Sequence, residues 1–153
     1  MSEEYTFAKK TKVSVEHSKM ELERLVGTMG ATDYMTYSGE GGEIIGFKVK
    51  GFVIKMKIPP IHPERFSKTP TGRERTEEQT NRVLQQERMR LWRALILMIK
   101  AKWEAIQEGI TTLENEFLPH MMLPNKQTVR EYLGPQLETL LKAGKMPPML
   151  PGL

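Results

Sequence analysis

The feature that most constrains this chain is an apolar stripe in residues 76–117. Its members are Trp92, Leu95, Ile99, Trp103, Ile106, Ile110, Leu113 and Phe117, each three or four positions from the last. An α-helix turns once every 3.6 residues, so this spacing lines them along one side and predicts a helix that buries that side. Thr76 with Gln79 supplies a capping box at the start, and Pro119 sets the far limit. Unbroken, such a helix has roughly 40 residues and spans about 60 Å. Arg82, Arg90, Arg93 and Lys100 lie off the stripe and make the rod basic on its wet side. Arg88 and Lys102 fall inside or beside it, where an unpaired cation is too costly to bury. Each must reach an edge, pair with an acid, or face a ligand.

A chain of 153 residues is enough for one domain with its own core. It contains no cysteine, which excludes disulfide and thiolate chemistry. No apolar run approaches the roughly 20 residues of a membrane span, and the charged N-terminus does not resemble a signal peptide. A cytoplasmic protein that makes no use of a membrane is expected. The formal net charge is only +4, but its distribution is uneven. Lys9, Lys10 and Lys12 sit at the start, Lys48, Lys50, Lys55 and Lys57 in the middle, and Arg65, Lys68, Arg73 and Arg75 before the long helix. Acids gather elsewhere, at Glu104, Glu108, Glu114 and Glu116. The clusters suit an anionic partner; a solvated basic surface is the plainer account.

Taken in order, residues 1–13 read as a flexible basic arm, 14–145 as a single α+β domain, and 146–153 as an apolar, Pro-rich tail. Ser14 caps a first helix with Val15, Leu22, Leu25, Val26 and Met29 on one side and Gly30 as its stop. From Asp33 the period changes to two. Residues 33–37, 43–49 and 52–58 read as three strands of an antiparallel meander, the last two joined by a tight Lys50-Gly51 turn. One face of this sheet is apolar for the helices; the other carries Lys48, Lys55 and Lys57. Pro59, Pro60 and Pro63 end it. Past Pro119, Thr128 caps a short helix with Val129, Tyr132, Leu133, Leu137, Leu140 and Leu141 expected inward and Gly144 as its stop. Pro135 within it predicts a kink or two pieces.

Residues 62–75 are too many for a mere turn, and long loops of this kind are functional or disordered. The loop enters the N-terminus of the long helix, where free N–H groups and the dipole favour anions. Gly72 would let backbone approach a phosphate, and Thr69 or Thr71 would donate a hydroxyl. No Walker sequence, nucleophile elbow or dinucleotide turn occurs. His17, His62 and His120 are scattered without zinc spacing, and Asp33 is the only aspartate. Glu104 and Glu108 share a helical face, a common arrangement on an exposed helix. A non-enzymatic protein without a cofactor is expected.

The order helix, meander, basic loop, long helix resembles two nucleic-acid-binding architectures. One is the double-stranded-RNA-binding domain, although Thr76-Glu77-Glu78-Gln79 is acidic where that domain places phosphate-contacting lysines. The other is the core of the ring-forming single-strand annealing proteins of phage and eukaryotic recombination, which hold single-stranded DNA in a basic groove. The long helix and apolar tail suit the second better. In sequence, Thr69-Pro70-Thr71-Gly72-Arg73, Arg90-Leu91-Trp92-Arg93-Ala94-Leu95, Ile99-Lys100-Ala101-Lys102 and Lys145-Met146-Pro147-Pro148-Met149-Leu150-Pro151 look like a family of small phage-encoded proteins. That resemblance covers most of residues 65–151 and implies a phage origin, hence a host-cell cytoplasm.

These features together predict a self-associating phage protein that binds single-stranded nucleic acid through backbone phosphates, in recombination or replication. Lys48, Lys55 and Lys57 would follow phosphates along the sheet. Arg65, Lys68, Thr71, Gly72, Arg73 and Arg75 would clamp from the loop, and Arg82, Arg90 and Arg93 would continue the path. The alternative is an anti-defence protein that sequesters a phosphorylated nucleotide signal under the 69–75 loop or blocks a host defence protein directly.

Overall fold

A computed structural model describes residues 8–145; the first seven residues and the expected tail, 146–153, lie outside the described part. Helix α1 (Val15–Thr28) is followed by strands β1 (Asp33–Gly39), β2 (Gly42–Val49) and β3 (Phe52–Ile58). A 3-10 turn (Pro63–Phe66) leads into α2 (Glu77–Gln107), then α3 (Leu113–Phe117), a second 3-10 turn (Leu118–His120) and α4 (Val129–Ala143). The sheet is an antiparallel meander in the order β1-β2-β3. The fold is α+β, as the change of hydrophobic period predicts.

Both main helices cover one face of the sheet. Val15, Leu22 and Val26 of α1, Trp92, Leu95, Ile96 and Ile99 of α2, and Ile45, Phe47, Ile54 and Met56 of the sheet form one buried cluster. Trp92 is fully buried. An indole removes on the order of 200 Å² from water, or about 5 kcal/mol at roughly 25 cal/mol per Å², so it is the anchor of the core and not a stacking platform. All three sequence-predicted N-caps form: Ser14 Oγ accepts from the His17 N–H, and Thr76 with Gln79 and Thr128 with Glu131 make reciprocal capping boxes. Between β2 and β3, Lys50 and Gly51 both take positive φ, at 49° and 82°. That is a type I′ turn, whose twist matches the strands it joins.

The long helix is shorter than its stripe implies. α2 stops at Gln107 after 31 residues, and α3 is a separate element. The cause is Gly109, at φ 73°. Its N–H donates to Ile106 O (3.1 Å), and the Ile110 N–H donates to Ala105 O (3.0 Å), which is a Schellman stop. Ile110 is consequently 80% exposed and off the stripe. Leu113 and Phe117 return to the same core because Thr112 caps a new helix, its hydroxyl accepting from the Asn115 N–H.

The second departure is α4. Tyr132, Leu133, Leu137 and Leu141, expected inward, are all exposed, and Leu141 reaches 81%. α1, α2 and the sheet already close the core, and α4 packs chiefly against the 118–120 turn. Nor does Pro135 divide the helix, which runs unbroken from Val129 to Ala143. The proline removes the donor for the carbonyl of Glu131, which lies on an exposed part of the helix where water can take its place.

Candidate functional site

Strand pairing fixes which side chains share the sheet face that the helices leave open. Asp33 pairs with Lys48 and Lys48 with Val53; Met35 with Gly46 and Gly46 with Lys55; Tyr37 with Ile44 and Ile44 with Lys57. Because side chains alternate along a strand, these three rows project away from the core. β1 therefore contributes a column of Met35 and Tyr37, exposed by 56% and 58%, and β3 a column of Val53, Lys55 and Lys57. The columns lie two strand spacings apart, about 10 Å, and Lys55 and Lys57 are about 7 Å apart along their strand. Gly46 leaves the middle of the face low. A Cβ there would stand 3.1 Å from Met35 Cγ, so the thioether lies across the gap. Asp33, Met35, Gly46, Lys48 and Val53 border a shallow hollow of about 390 Å³ on this face.

Glu131, at the start of α4, lies within electrostatic reach of the lysine column. Its carboxyl lies below the ordinary value chiefly because the Thr128 N–H binds it, against slight burial, with Lys55 and then Lys57 adding to the effect. Lys48, Lys55 and Lys57 are hydrogen-bonded to no acid among the described residues.

The arginines of α2 differ from these lysines. Arg93 donates to Glu21 (2.6 Å), and Lys100 also donates to Glu21. Hydrogen bonds from Arg93 and then Lys100 outweigh burial and bring the Glu21 carboxyl from 4.5 to about 2. Arg90 pairs with Glu87 and Arg82 with Glu78. Arg88 and Lys102, the two cations placed at the stripe, resolve by pairing with acids. Lys102 reaches Glu116 at 2.9 Å.

Arg88 forks onto Glu43, from Nε at 3.2 Å and Nη2 at 2.6 Å. Glu43 projects inward from β2 and is only 7% exposed. Trp92 Nε1 donates to it at 2.6 Å and Ser38 Oγ at 2.8 Å, with Lys19 Nζ 4.0 Å away. Burial pushes this carboxyl up, but the hydrogen bonds from Arg88, Ser38 and Trp92 together hold it below the ordinary range. Arg88 also borders a hollow of about 300 Å³ with Gly39, Gly42, Pro59 and Pro60 at the end of the sheet. With its guanidinium fork satisfied by Glu43, the group closes the core and carries no free charge into that hollow.

The 62–75 loop is built, not slack. Lys68 and Glu74 form a β-bridge, the Thr69 N–H donates to Arg73 O (2.8 Å) and the Gly72 N–H to Thr69 O (2.9 Å). Arg75 Nη1 donates to the carbonyls of Phe66 and Lys68, both at 2.8 Å, and so staples the loop. The Thr71 hydroxyl is paired with Thr69, and the capping box with Glu77 and Glu78 occupies the helix N-terminus. Arg65, Lys68 and Arg73 remain outward and exposed.

The predicted site residues thus separate into groups. Lys48, Lys55 and Lys57 converge on the open sheet face. Arg65, Lys68, Thr71, Gly72, Arg73 and Arg75 share a loop that leaves the end of β3. Arg82, Arg90 and Arg93 lie in the helical layer, on the other side of the sheet. Met35, Tyr37 and Val53 were not among the predicted residues, although strand parity carries β1 and β3 to that face.

These features define a class by architecture: an α+β protein with its helices on one side of a three-stranded antiparallel meander and a basic, partly aromatic face on the other. Comparison of the chain with protein-family models, curated proteins and solved structures finds no match.

Proposed function

We propose that the protein binds single-stranded nucleic acid on the open face of its sheet. The observation that carries this reading is the pairing of two columns: Met35 and Tyr37 on β1 beside Lys55 and Lys57 on β3, with Lys48 between them. A single strand presents a charged backbone on one side and flat, apolar bases on the other. Lysines attract the first without regard to sequence, and an exposed ring and thioether offer the second a surface to stack on. The lysine spacing along β3 suits successive phosphates of an extended strand. Lys68 and Arg73 would extend the basic path past the end of β3, whereas Arg65 acts on Glu87 of α2, Arg90 and Arg93 are paired with partly buried acids, and Arg82 lies in an exposed pair with Glu78 on α2. The resemblance of the element order to single-strand annealing proteins would put such binding in recombination or replication, by a self-associating protein without catalysis.

The test is a titration of labelled single-stranded DNA between about 50 and about 200 mM salt. Affinity is expected to fall steeply with salt and to vary little with sequence. Replacing Lys48, Lys55 and Lys57 together by alanine should lower the salt slope by about 2, and Tyr37→Ala should weaken binding by about 1–3 kcal/mol. An affinity indifferent to salt, or to the triple substitution, would sink the reading.

A further inference from the structure

The two edges of the sheet are treated differently. Along β3, the Met122 N–H donates to Val53 O at 2.8 Å and Ile54 bridges to Met121, so a following segment of the chain covers the first part of that edge. Along β1, no described residue pairs with the outer edge. Exposed edges in soluble proteins are usually blunted by a lysine, a proline, a bulge or extreme shortness. β1 has seven residues, reads Asp-Tyr-Met-Thr-Tyr-Ser-Gly, and pairs with β2 in continuous register. It carries no lysine, proline or bulge, its one charge, Asp33, stands at the very start of the strand, and its outward side chains Met35 and Tyr37 are among the most exposed apolar groups of the domain.

We propose that β1 is a self-pairing edge, and that its partner is β1 of a second copy of this chain, antiparallel and centred on Thr36. The choice of partner follows from the sequence of the strand. In that register Met35 of each copy lies across from Tyr37 of the other, twice over, which places a thioether against an aromatic ring on the open face. Thr36 meets Thr36 on the inner face, a favourable cross-strand pair. Asp33, the only charged residue of the strand, lies across from Gly39, so no like charges oppose one another. A two-fold pairing of this kind is closed: each copy uses its one β1 edge, and two copies form one six-stranded sheet. The Met35 and Tyr37 pairs then form the middle of a continuous face bordered by a lysine column on each side. This inference rests on the edge and not on the nucleic-acid reading, and its test needs no nucleic acid.

The experiment is sedimentation equilibrium of the full chain over a wide concentration range, with far-ultraviolet circular dichroism to follow the fold. The wild type should approach twice the 17.6 kDa of one chain. Met35→Lys with Tyr37→Lys puts lysines opposite lysines at the seam on exposed positions, and should give the single-chain mass with an unchanged spectrum. Met35→Glu with Tyr37→Glu should do the same, and mixing the two variants should restore the double mass. Hydrogen exchange on the unaltered chain is the independent check, because amides of β1 that are protected at high concentration should become exchangeable on dilution. A wild type that keeps the single-chain mass throughout would overturn the proposal. So would a dimer that survives both variants, or one lost instead in Leu133→Glu with Leu137→Glu on α4.

Discussion

At the scale of single residues, the chain divides its cations into those spent on its own acids and those left to solvent. Glu21 is the clearest case of the first kind. Its carboxyl is held at about 2 by Arg93 and Lys100, against 4.5 ordinarily. A folded-state value below the unfolded one means that the group contributes stability above pH 4.5, and that this contribution is lost as pH falls through about 2. Thermal melts taken at successively lower pH should therefore show declining stability across that window, with a shallower decline in Glu21→Gln. Equal slopes in the two proteins would show that Glu21 adds nothing to acid sensitivity. Glu43 belongs to the same kind and is more deeply placed. The sequence identified Arg88 as a cation at the stripe in need of a partner, and strand parity names that partner: residues 43, 45, 47 and 49 all face inward, and the first of them is an acid. What parity alone could not give is the third side of the network, the indole of Trp92, one turn beyond Arg88 on α2, reaching the same carboxylate at 2.6 Å.

At the scale of elements, start signals were more legible than stop signals. Ser14, Thr76 and Thr128 each cap the helix expected of them, because a cap is a local bond between a side chain and an N–H two or three residues on. The end of α2 departs from its stripe for a comparably local reason. Three- and four-residue spacing continues through Ile110 to Phe117, but Gly109 interrupts that rhythm, because glycine at such a position ends helices by taking positive φ. A residue with a Cβ there must adopt a left-handed conformation or undo the stop. Gly109→Ala should lower stability by about 1 kcal/mol, read as a shift in the urea midpoint at constant slope. No shift would mean that the α2–α3 corner is held by the packing of Leu113 and Phe117 alone. α4 shows the complementary failure. Its caps and leucine spacing are those of a buried helix, yet Leu137 is 50% exposed. Amphipathic spacing says that a face exists and not that this domain has room to cover it.

At the scale of the whole molecule, the two-layer arrangement decides which charges can act together. Helices on one side of the sheet leave the lysines of β2 and β3 on the other, so Arg93 and Lys57 cannot belong to one local patch. This separation gives a direct contrast. Arg93→Ala should cost about 1–2 kcal/mol of stability, since it leaves the partly buried Glu21 with a single partner, while affinity for single-stranded DNA stays as in the wild type. A variant that binds less well while remaining as stable would return α2 to the binding path. The sequence by itself determined the elements that depend on neighbours within a few residues: the strands from their alternation, the caps, the tight Lys50-Gly51 hairpin, the stripe and the lysine face. Tertiary structure alone decided which apolar faces find a cover, which cations meet an acid from a distant segment, and which edge of the sheet stays open. The reason is physical: hydrogen-bonded local geometry is set by a handful of consecutive residues, whereas burial and charge pairing depend on which surfaces the packed chain brings within a few ångströms of one another.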